Sequence, residues 1–449
     1  MMRPRRLMVL LTAGLALTST ACGGGDGSKD ASGGKVSITV GCMPAKSQPT
    51  QRREWNEDVA AFQKLHPDIT VVGKDAFPCA DPKTFMAKLA GGQMEDVFYT
   101  YFTDVQNVIK SGQAADLTKY LGSVKQLPDL QPSVKSVFTG PDGKIYGLPR
   151  QNYSMGLLYN RKLFKQAGLN PDTPPATWAE LRADAKKIAA LGKGTVGYAD
   201  YSAGNQGGWH FTTELYGQGG DVVSPDGKKA AFNSPQGLAV LENLKQMRWT
   251  DDSMGSKQLL QLADVQQLMA AGRLGMYLSA PDNVTALVDQ FQGSYKDYGL
   301  APIPEAKATL IGGDGYMVNV KASPAKIKAG LLWLEYYVLT PGQGQLNYQR
   351  EARYGRAVGL PQPDFYTGST ATTDHSLRAA SANVPVANYK PYEDASARIP
   401  GKLEPANAQQ VYAVLDSVMS AVLTDRNADP GRLLATAQQK VDGILARSN

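Results

Sequence analysis

Polar and apolar residues alternate in VSITVG, residues 36–41, the period of a strand with one buried face. The period then changes. In QRREWNEDVAAFQKLHP the residues Trp55, Val59 and Phe62 share one face of a helix, and Pro67 stops it. DITVVG (68–73) predicts the next strand, Asp81 and Pro82 a short helix ending at Gly91 and Gly92, and DVFYTY (96–101) a third strand. Strand, helix, strand, helix, strand at this spacing predicts parallel pairing through crossover helices.

The same alternation resumes further along, with clear helix starts. Thr177 and Glu180 form a capping box ahead of Leu181, Ala185 and Ile188. Ser234-Pro235, Ser323-Pro324 and Asp429-Pro430 each supply a cap and a proline at the first helical position. LGMYLS (274–279), YGLAPI (298–303) and YMVNV (316–320) read as strands between helices. The pattern predicts an α/β protein of two lobes.

The ends add a destination. Arg3, Arg5 and Arg6 precede an apolar run from Leu7 to Leu17, the shape of an export leader and about half the length needed to span a bilayer. Ser19, Thr20 and Ala21 lead into Cys22, which resembles the lipobox of bacterial lipoproteins, with Ser19 where that motif prefers an aliphatic residue. The expectation is a leader over 1–21, acylation of Cys22 and a Gly/Ser/Asp/Lys tether over 22–35, with incidental Cys22 in a plainly secreted protein as the alternative. The anchored protein then sits on the outer face of the cell membrane. Setting Cys22 aside leaves Cys42 and Cys79, either one disulfide in an oxidising compartment or two buried thiols.

Without the three leader arginines, 44 basic side chains face 41 acidic ones, a net charge of +3, and no basic stripe suggests nucleic acid. His66, His210 and His375 are far apart, each without a companion ligand three or four residues away, so neither sequence nor spacing predicts a metal or a cofactor. No P-loop, complete G-x-G-x-x-G or G-x-S-x-G is present.

One long motif narrows the class. From Gly143 to Glu180 the chain reads GKIYGLPRQNYSMGLLYNRKLFKQAGLNPDTPPATWAE, which resembles the extracellular solute-binding protein family 1, the sugar-binding lipoproteins of ABC importers. MAKLAGGQMEDVF, SGQAADLTKYL, GGDVVSPDGKKAAFNSP, AAGRLGMYLSAPDN and GGDGYMVNV fit the same family in order, with the match weakest after about residue 365.

The resemblance implies a type 2 periplasmic-binding fold: a two-lobed, non-enzymatic monomer that closes over a carbohydrate and delivers it to transmembrane permease subunits. It also implies three inter-lobe crossings, placed near 148–152, 298–304 and 354–360. Residues 36–149 with 303–355 then form one lobe, and 150–302 with 356–449 the other. Receptors for another polar solute, such as a glycerophosphodiester or polyamine, and a secreted glycosidase are the alternatives.

A pyranose offers apolar C–H faces and paired hydroxyls, so its site needs aromatic platforms beside carboxylates, amides or guanidinium groups. Strand ends and crossings supply the candidates: Tyr101 and Asp104; Arg150, Gln151, Asn152 and Tyr153; Asn205, Gln206 and Trp209; Asp282 and Asn283; Gly312, Gly313 and Asp314; and Arg353. Each has a plainer reading. Tyr101 packs under a helix, the 205–209 glycines make a turn, Gly312–Asp314 is a hairpin preceding a strand, and Arg353 is a surface ion pair. Trp209 is expected to stack on a sugar ring across the cleft from Tyr101.

Overall fold

The computed structural model describes residues 34–448 apart from 77–78, 81–83, 193, 205, 397 and 406. Cys22, the leader and most of the tether, the helix start at Asp81-Pro82, and Asn205 therefore lie outside the described residues. Among the described residues ten strands build two sheets: β1 (Val36–Met43), β2 (Ile69–Asp75), β3 (Val97–Tyr101), β4 (Gly147–Ser154), β5 (Gly156–Asn160), β6 (Val196–Tyr198), β7 (Leu274–Ser279), β8 (Tyr298–Pro302), β9 (Thr309–Val318) and β10 (Gly401–Leu403).

The first sheet runs β10-β9-β3-β1-β2, with β4 also paired to β9. β1 pairs in parallel with β2 and β3, as the strand–helix spacing predicts, whereas β3 and β4 meet β9 antiparallel. Trp55 and Phe62 of helix Pro49–Leu65 are buried against Trp333 of helix Pro324–Leu334, with ring centroids 5.2 Å apart in both pairs. Burying each such side chain stabilises the lobe by about 1.5–3 kcal/mol. Cys42 and Cys79 are joined in a disulfide with Cα atoms 4.8 Å apart, which settles the pairing left open by the cysteine count.

The second sheet runs β6-β7-β5-β8, with β5 antiparallel to both neighbours. β5 shows why this sheet is covered on both sides. Leu157 and Tyr159 join one core with Phe211, Leu244 and Leu415, while Leu158 between them joins another with Tyr277, Leu300 and Tyr389. The capping box at Thr177–Glu180 and the serine caps at Ser234 and Ser323 form as the sequence predicts. Asp429 also caps its helix, accepting from the Arg432 backbone N–H at 3.1 Å.

The chain stays in the first sheet through Ser154, and Met155 already packs in the second-lobe core before β5 begins. It returns between Pro302 at the end of β8 and Thr309 at the start of β9. The last ninety residues weave. Tyr366 pairs with Leu130 and packs in the first core, Val384 and Tyr389 pack in the second, β10 rejoins β9, and helix Ala408–Thr424 closes the second lobe.

Candidate ligand-binding cleft

The glycine run before YMVNV is no turn. Gly312, Gly313 and Gly315 lie inside β9, whose ten residues begin at Thr309. A Cβ on Gly312 would stand 2.3 Å from the Tyr153 hydroxyl, one on Gly313 2.3 Å from the Gln151 carbonyl and 2.8 Å from the Phe102 ring, and one on Gly315 2.4 Å from the Phe138 ring. Glycine inside a strand marks such close approach, and here it lets aromatic side chains lie flat on the sheet.

Asp314 sits between these glycines, buried, directly across from Tyr101 in the β3–β9 register. The Arg150 guanidinium grips it with two bonds, Nε to Oδ1 at 2.5 Å and Nη2 to Oδ2 at 2.7 Å, and Gln151 Nε2 donates at 3.1 Å. Gln345 braces the same arginine, donating from Nε2 to the Arg150 carbonyl at 3.0 Å. Bidentate pairing of this kind consumes both charges. Asp314 thus anchors Arg150 and Gln151, and that pair presents no net charge.

Around this anchor the two lobes contribute tyrosines and unneutralised acids. Tyr101 is half-buried, its ring edge-on to Tyr99 at 5.2 Å. Asp104, in the first turn of helix Phe102–Lys110, has a carboxyl that burial pushes up. Tyr153 is half-buried against Gly312; burial raises its hydroxyl, and Glu404, Asp282 and Asp314 add to the shift. Asp282 opens helix Asp282–Asp289, exposed to water yet flanked closely enough by protein for desolvation to raise its carboxyl. Glu404, between β10 and helix Ala408–Thr424, accepts from the Tyr412 hydroxyl at 3.0 Å. Desolvation lifts its carboxyl to about 7, and Asp104 adds to the shift. Asp104 belongs to the first lobe, and Glu404 leads into the second.

Other expected residues fall differently. Gln151 is exposed and held by Asp314, and Asn152 lies beside it in β4 opposite Gly313. Asn283 accepts from Gln266 Nε2 at 2.9 Å, which leaves Asp282 as the outward group of the two. Gln206 is exposed, just before helix Gly207–Gly217. The glycines that follow it are helical and buried: a Cβ on Gly208 would meet the Tyr412 carbonyl at 2.3 Å, so they allow helix Ala408–Thr424 to come close rather than making a turn. Trp209 stands in the first turn of this helix, half-buried, and packs against both second-lobe cores. Arg353 is exposed at the end of helix Tyr348–Arg353, while Arg350 of the same helix is buried and paired with Asp58.

Glu404, Tyr412 and the buried Tyr201, which feels both Asp282 and Tyr153, escape sequence reasoning. They lie outside the long motif, two of them in the C-terminal stretch where the family spacing is least regular.

Two α/β lobes joined by several crossings, with facing polar and aromatic walls, define a two-lobed binding protein of the type 2 periplasmic class. The chain belongs to the bacterial extracellular solute-binding protein family, whose model matches residues 46–344. A Brucella abortus protein described as a binding protein is 25% identical over 455 residues, covering 97% of this chain and 98% of that one. The sn-glycerol-3-phosphate-binding periplasmic protein UgpB of the same species is 28% identical over 243 residues, 50% of this chain and 53% of the relative. Among solved structures, the cyclic alpha-maltosyl-1,6-maltose binding protein of Arthrobacter globiformis superposes with a TM-score of 0.71 at 24% identity, over 92% of this chain and 99% of that one.

Among the described residues no helix is long and apolar enough to cross a membrane, and no group of three or more His, Cys, Asp or Glu side chains is arranged to hold a metal ion.

Proposed function

We propose that this protein is the substrate receptor of an ABC importer, lipid-anchored through Cys22 outside the cell membrane, that binds a carbohydrate between its lobes and hands it unchanged to the permease. One observation carries the ligand class: half-buried Tyr101 and Tyr153 stand beside Asp104, Asp282 and Glu404, the pairing of flat apolar faces with hydrogen-bond acceptors that a sugar ring requires. The similarity to a maltosyl-maltose binding protein supports the same class. Against sn-glycerol 3-phosphate, the ligand named for UgpB, stands the charge of the site: Arg150, the cation acting on Tyr101, is already occupied by Asp314.

Gly312 and Gly313 shape this site by admitting the Tyr153 and Phe102 rings, and Asp314 serves it by fixing Arg150 and Gln151. Lobe closure then brings Asp282 and Glu404 toward Tyr101 and Asp104.

Thermal-shift and calorimetric screening of the purified protein against mono-, di- and oligosaccharides tests the reading. A raised melting temperature with a sugar and none with sn-glycerol 3-phosphate is expected, because a ligand that binds only the folded state stabilises by mass action. Steady hydrolysis of the bound sugar, or binding confined to the phosphate ester, overturns it. Cys22→Ser is expected to release the protein from membranes, and continued membrane fractionation of that variant contradicts the anchor.

A further inference from the structure

The stretches that carry the chain between the lobes are held in different ways. At the first, the hydroxyl of Tyr392, from a second-lobe core, donates to the Ser154 carbonyl at 2.9 Å, and the Met155 N–H donates to the Leu310 carbonyl at 3.0 Å. At the second, Thr309 Oγ1 donates to the Met155 carbonyl at 2.8 Å. These bonds are neutral. The third stretch, residues 354–360, is held by charge.

Helix Tyr348–Arg353 ends on Gly355, whose φ of +74° turns the chain out of the helix. The next residue is Arg356. Its N–H donates to the Glu351 carbonyl at 3.0 Å, and its guanidinium pairs with the Glu351 carboxylate and, at 3.4 Å, with that of buried Glu54 in helix Pro49–Leu65. Arg350, the other cation beside these acids, is taken: both its terminal nitrogens bond Asp58, and one also bonds the Gly344 carbonyl at 2.8 Å. Glu54 and Glu351 act on each other as like charges, so Arg356 is what holds them together.

The carbonyl of Arg356 is held from the other lobe. Asn383 Nδ2 donates to it at 2.8 Å, Asn383 Oδ1 accepts from the Val358 N–H at 2.9 Å, and the Asn383 N–H donates to the Val358 carbonyl at 3.0 Å. Asn383 directly precedes Val384, which packs in a second-lobe core together with Leu360 and against Ala357. The two lobes therefore meet within one residue. N–H and side chain belong to the first, the carbonyl to the second, and the Cα–C bond lies between them. A change of lobe angle must turn that bond or break one of its anchors.

We infer that Arg356 is the hinge pin of this receptor, a positioning residue that fixes the angle between the lobes through Glu54 and Glu351 on one side and Asn383 on the other. This goes beyond the carbohydrate reading and rests only on two lobes that close about a hinge. Affinity follows from it, because a ligand that binds one lobe angle is held in proportion to the fraction of molecules at that angle.

The test reads the lobe angle with no ligand present. Spin labels at Lys119→Cys in the first lobe and Lys186→Cys in the second, both exposed positions, are carried by the full chain with Cys22→Ser; Cys42 and Cys79 are bonded to each other and take no label. Electron–electron double resonance then gives the distribution of inter-lobe distances. Arg356→Met removes the charge from a long side chain, and Asn383→Ala removes the second-lobe grip at an exposed position. Each is expected to widen the distribution at least about twofold or to add a second peak. Arg356→Lys, which keeps the charge and loses the fork, should fall between parent and Arg356→Met. Lys326→Met is the control: it breaks the pair with Asp96 inside the first lobe, so it should lower the urea midpoint and leave the distribution as in the parent.

A distribution in Arg356→Met or Asn383→Ala that superimposes on the parent overturns the inference. So does a Lys326→Met distribution as wide as that of Arg356→Met, since any lost ion pair would then loosen the lobes. Should Arg356→Met fail to fold, Asn383→Ala decides by the same criterion. Lobes that spread in these variants of a protein that binds no sugar keep the pin and sink the carbohydrate reading, and a bound sugar with unspread lobes does the reverse.

Discussion

Two regions, one in each lobe, handle acid in opposite ways. In the first, carboxylates are matched with cations: Asp58 with Arg350 at 3.0 Å, Asp314 with Arg150 at 2.7 Å, and Asp96 with Lys326 at 3.0 Å. Beneath the wall of the second, Asp200 and His210 lie 3.1 Å apart, both fully buried, and neither oxygen of the fully buried Glu214 has a hydrogen-bond partner among the described residues. Burial pushes Glu214 far above its ordinary carboxyl range, with Asp200 adding to the shift, so it is carried as a neutral acid. These first-lobe carboxylates are neutralised by pairing, and Glu214 by keeping its proton.

The largest break in this comparison comes from removing one half of a first-lobe pair. Asp58→Ala leaves Arg350, only 5% exposed, without its partner, and the expected loss is about 3–5 kcal/mol in urea unfolding. A loss below about 1 kcal/mol would mean the first lobe does not depend on its pairs.

The disulfide is the next test, and it touches the first lobe alone. Cys42 and Cys79 are 37 residues apart, and closing such a loop stabilises by about 3–4 kcal/mol in the chain-entropy model. The double variant Cys42→Ser, Cys79→Ser is expected to lose about that much, and reductant should then have no further effect on its unfolding midpoint. A midpoint that still falls on adding reductant would sever the loss from this bond.

Much of this architecture is legible in the sequence because local signals and tertiary fate agree. VSITVG, DVFYTY and LGMYLS are strands, and the helices marked by Ser234-Pro235, Ser323-Pro324 and Asp429-Pro430 begin at those caps, whereas the short helix expected from Asp81 and Pro82 begins at Phe85. Where close packing overrides local chemistry, the signal misleads: GGDG reads as a turn and is strand, since the Tyr153 and Phe138 rings need the room, and GNQGGWH reads as a loop although its glycines begin a helix pressed against another. Among the candidate cleft residues, Tyr101, Asp104, Tyr153 and Asp282 are proposed from strand ends and crossings. Asp314 follows in place, while its occupation by Arg150 does not, because an ion pair 164 residues apart leaves no local pattern. Glu404 is invisible for the same reason.

In the second lobe the sharpening substitution is isosteric. Glu214→Gln keeps the shape and removes the ionisation. At pH 7 the parent must take up a proton on folding that its unfolded carboxyl, ionising near 4.5, does not hold, at a cost of up to about 3 kcal/mol that the amide avoids, so the variant is expected to be the more stable of the two there. A native-state carboxyl raised by burial contributes stability that is full below its unfolded value, near 4.5, and fades as pH rises toward its folded one. Urea titrations from pH 5 to 9 should therefore show a decline in the parent and a flatter curve in the variant. Parallel curves would mean that Glu214 is ionised in the fold and that the second lobe does not store its proton.

The smallest effect is expected at Glu404, where a raised carboxyl reaches the candidate cleft. Its folded value of about 7 lies above the ordinary 4.5, so the protonated form stabilises the fold fully below pH 4.5, and that contribution drains away as pH passes through 7. Glu404 is only partly buried, which lowers the stake to roughly 1 kcal/mol between pH 5 and 8. Glu404→Gln should remove that part of the pH dependence and keep a hydrogen-bond acceptor for the Tyr412 hydroxyl, so the fold itself should hold. If the parent and the variant track each other from pH 5 to 8 while Glu214→Gln still flattens the curve, the stored proton lies beneath the wall rather than on it, and Glu404 is ionised in the fold.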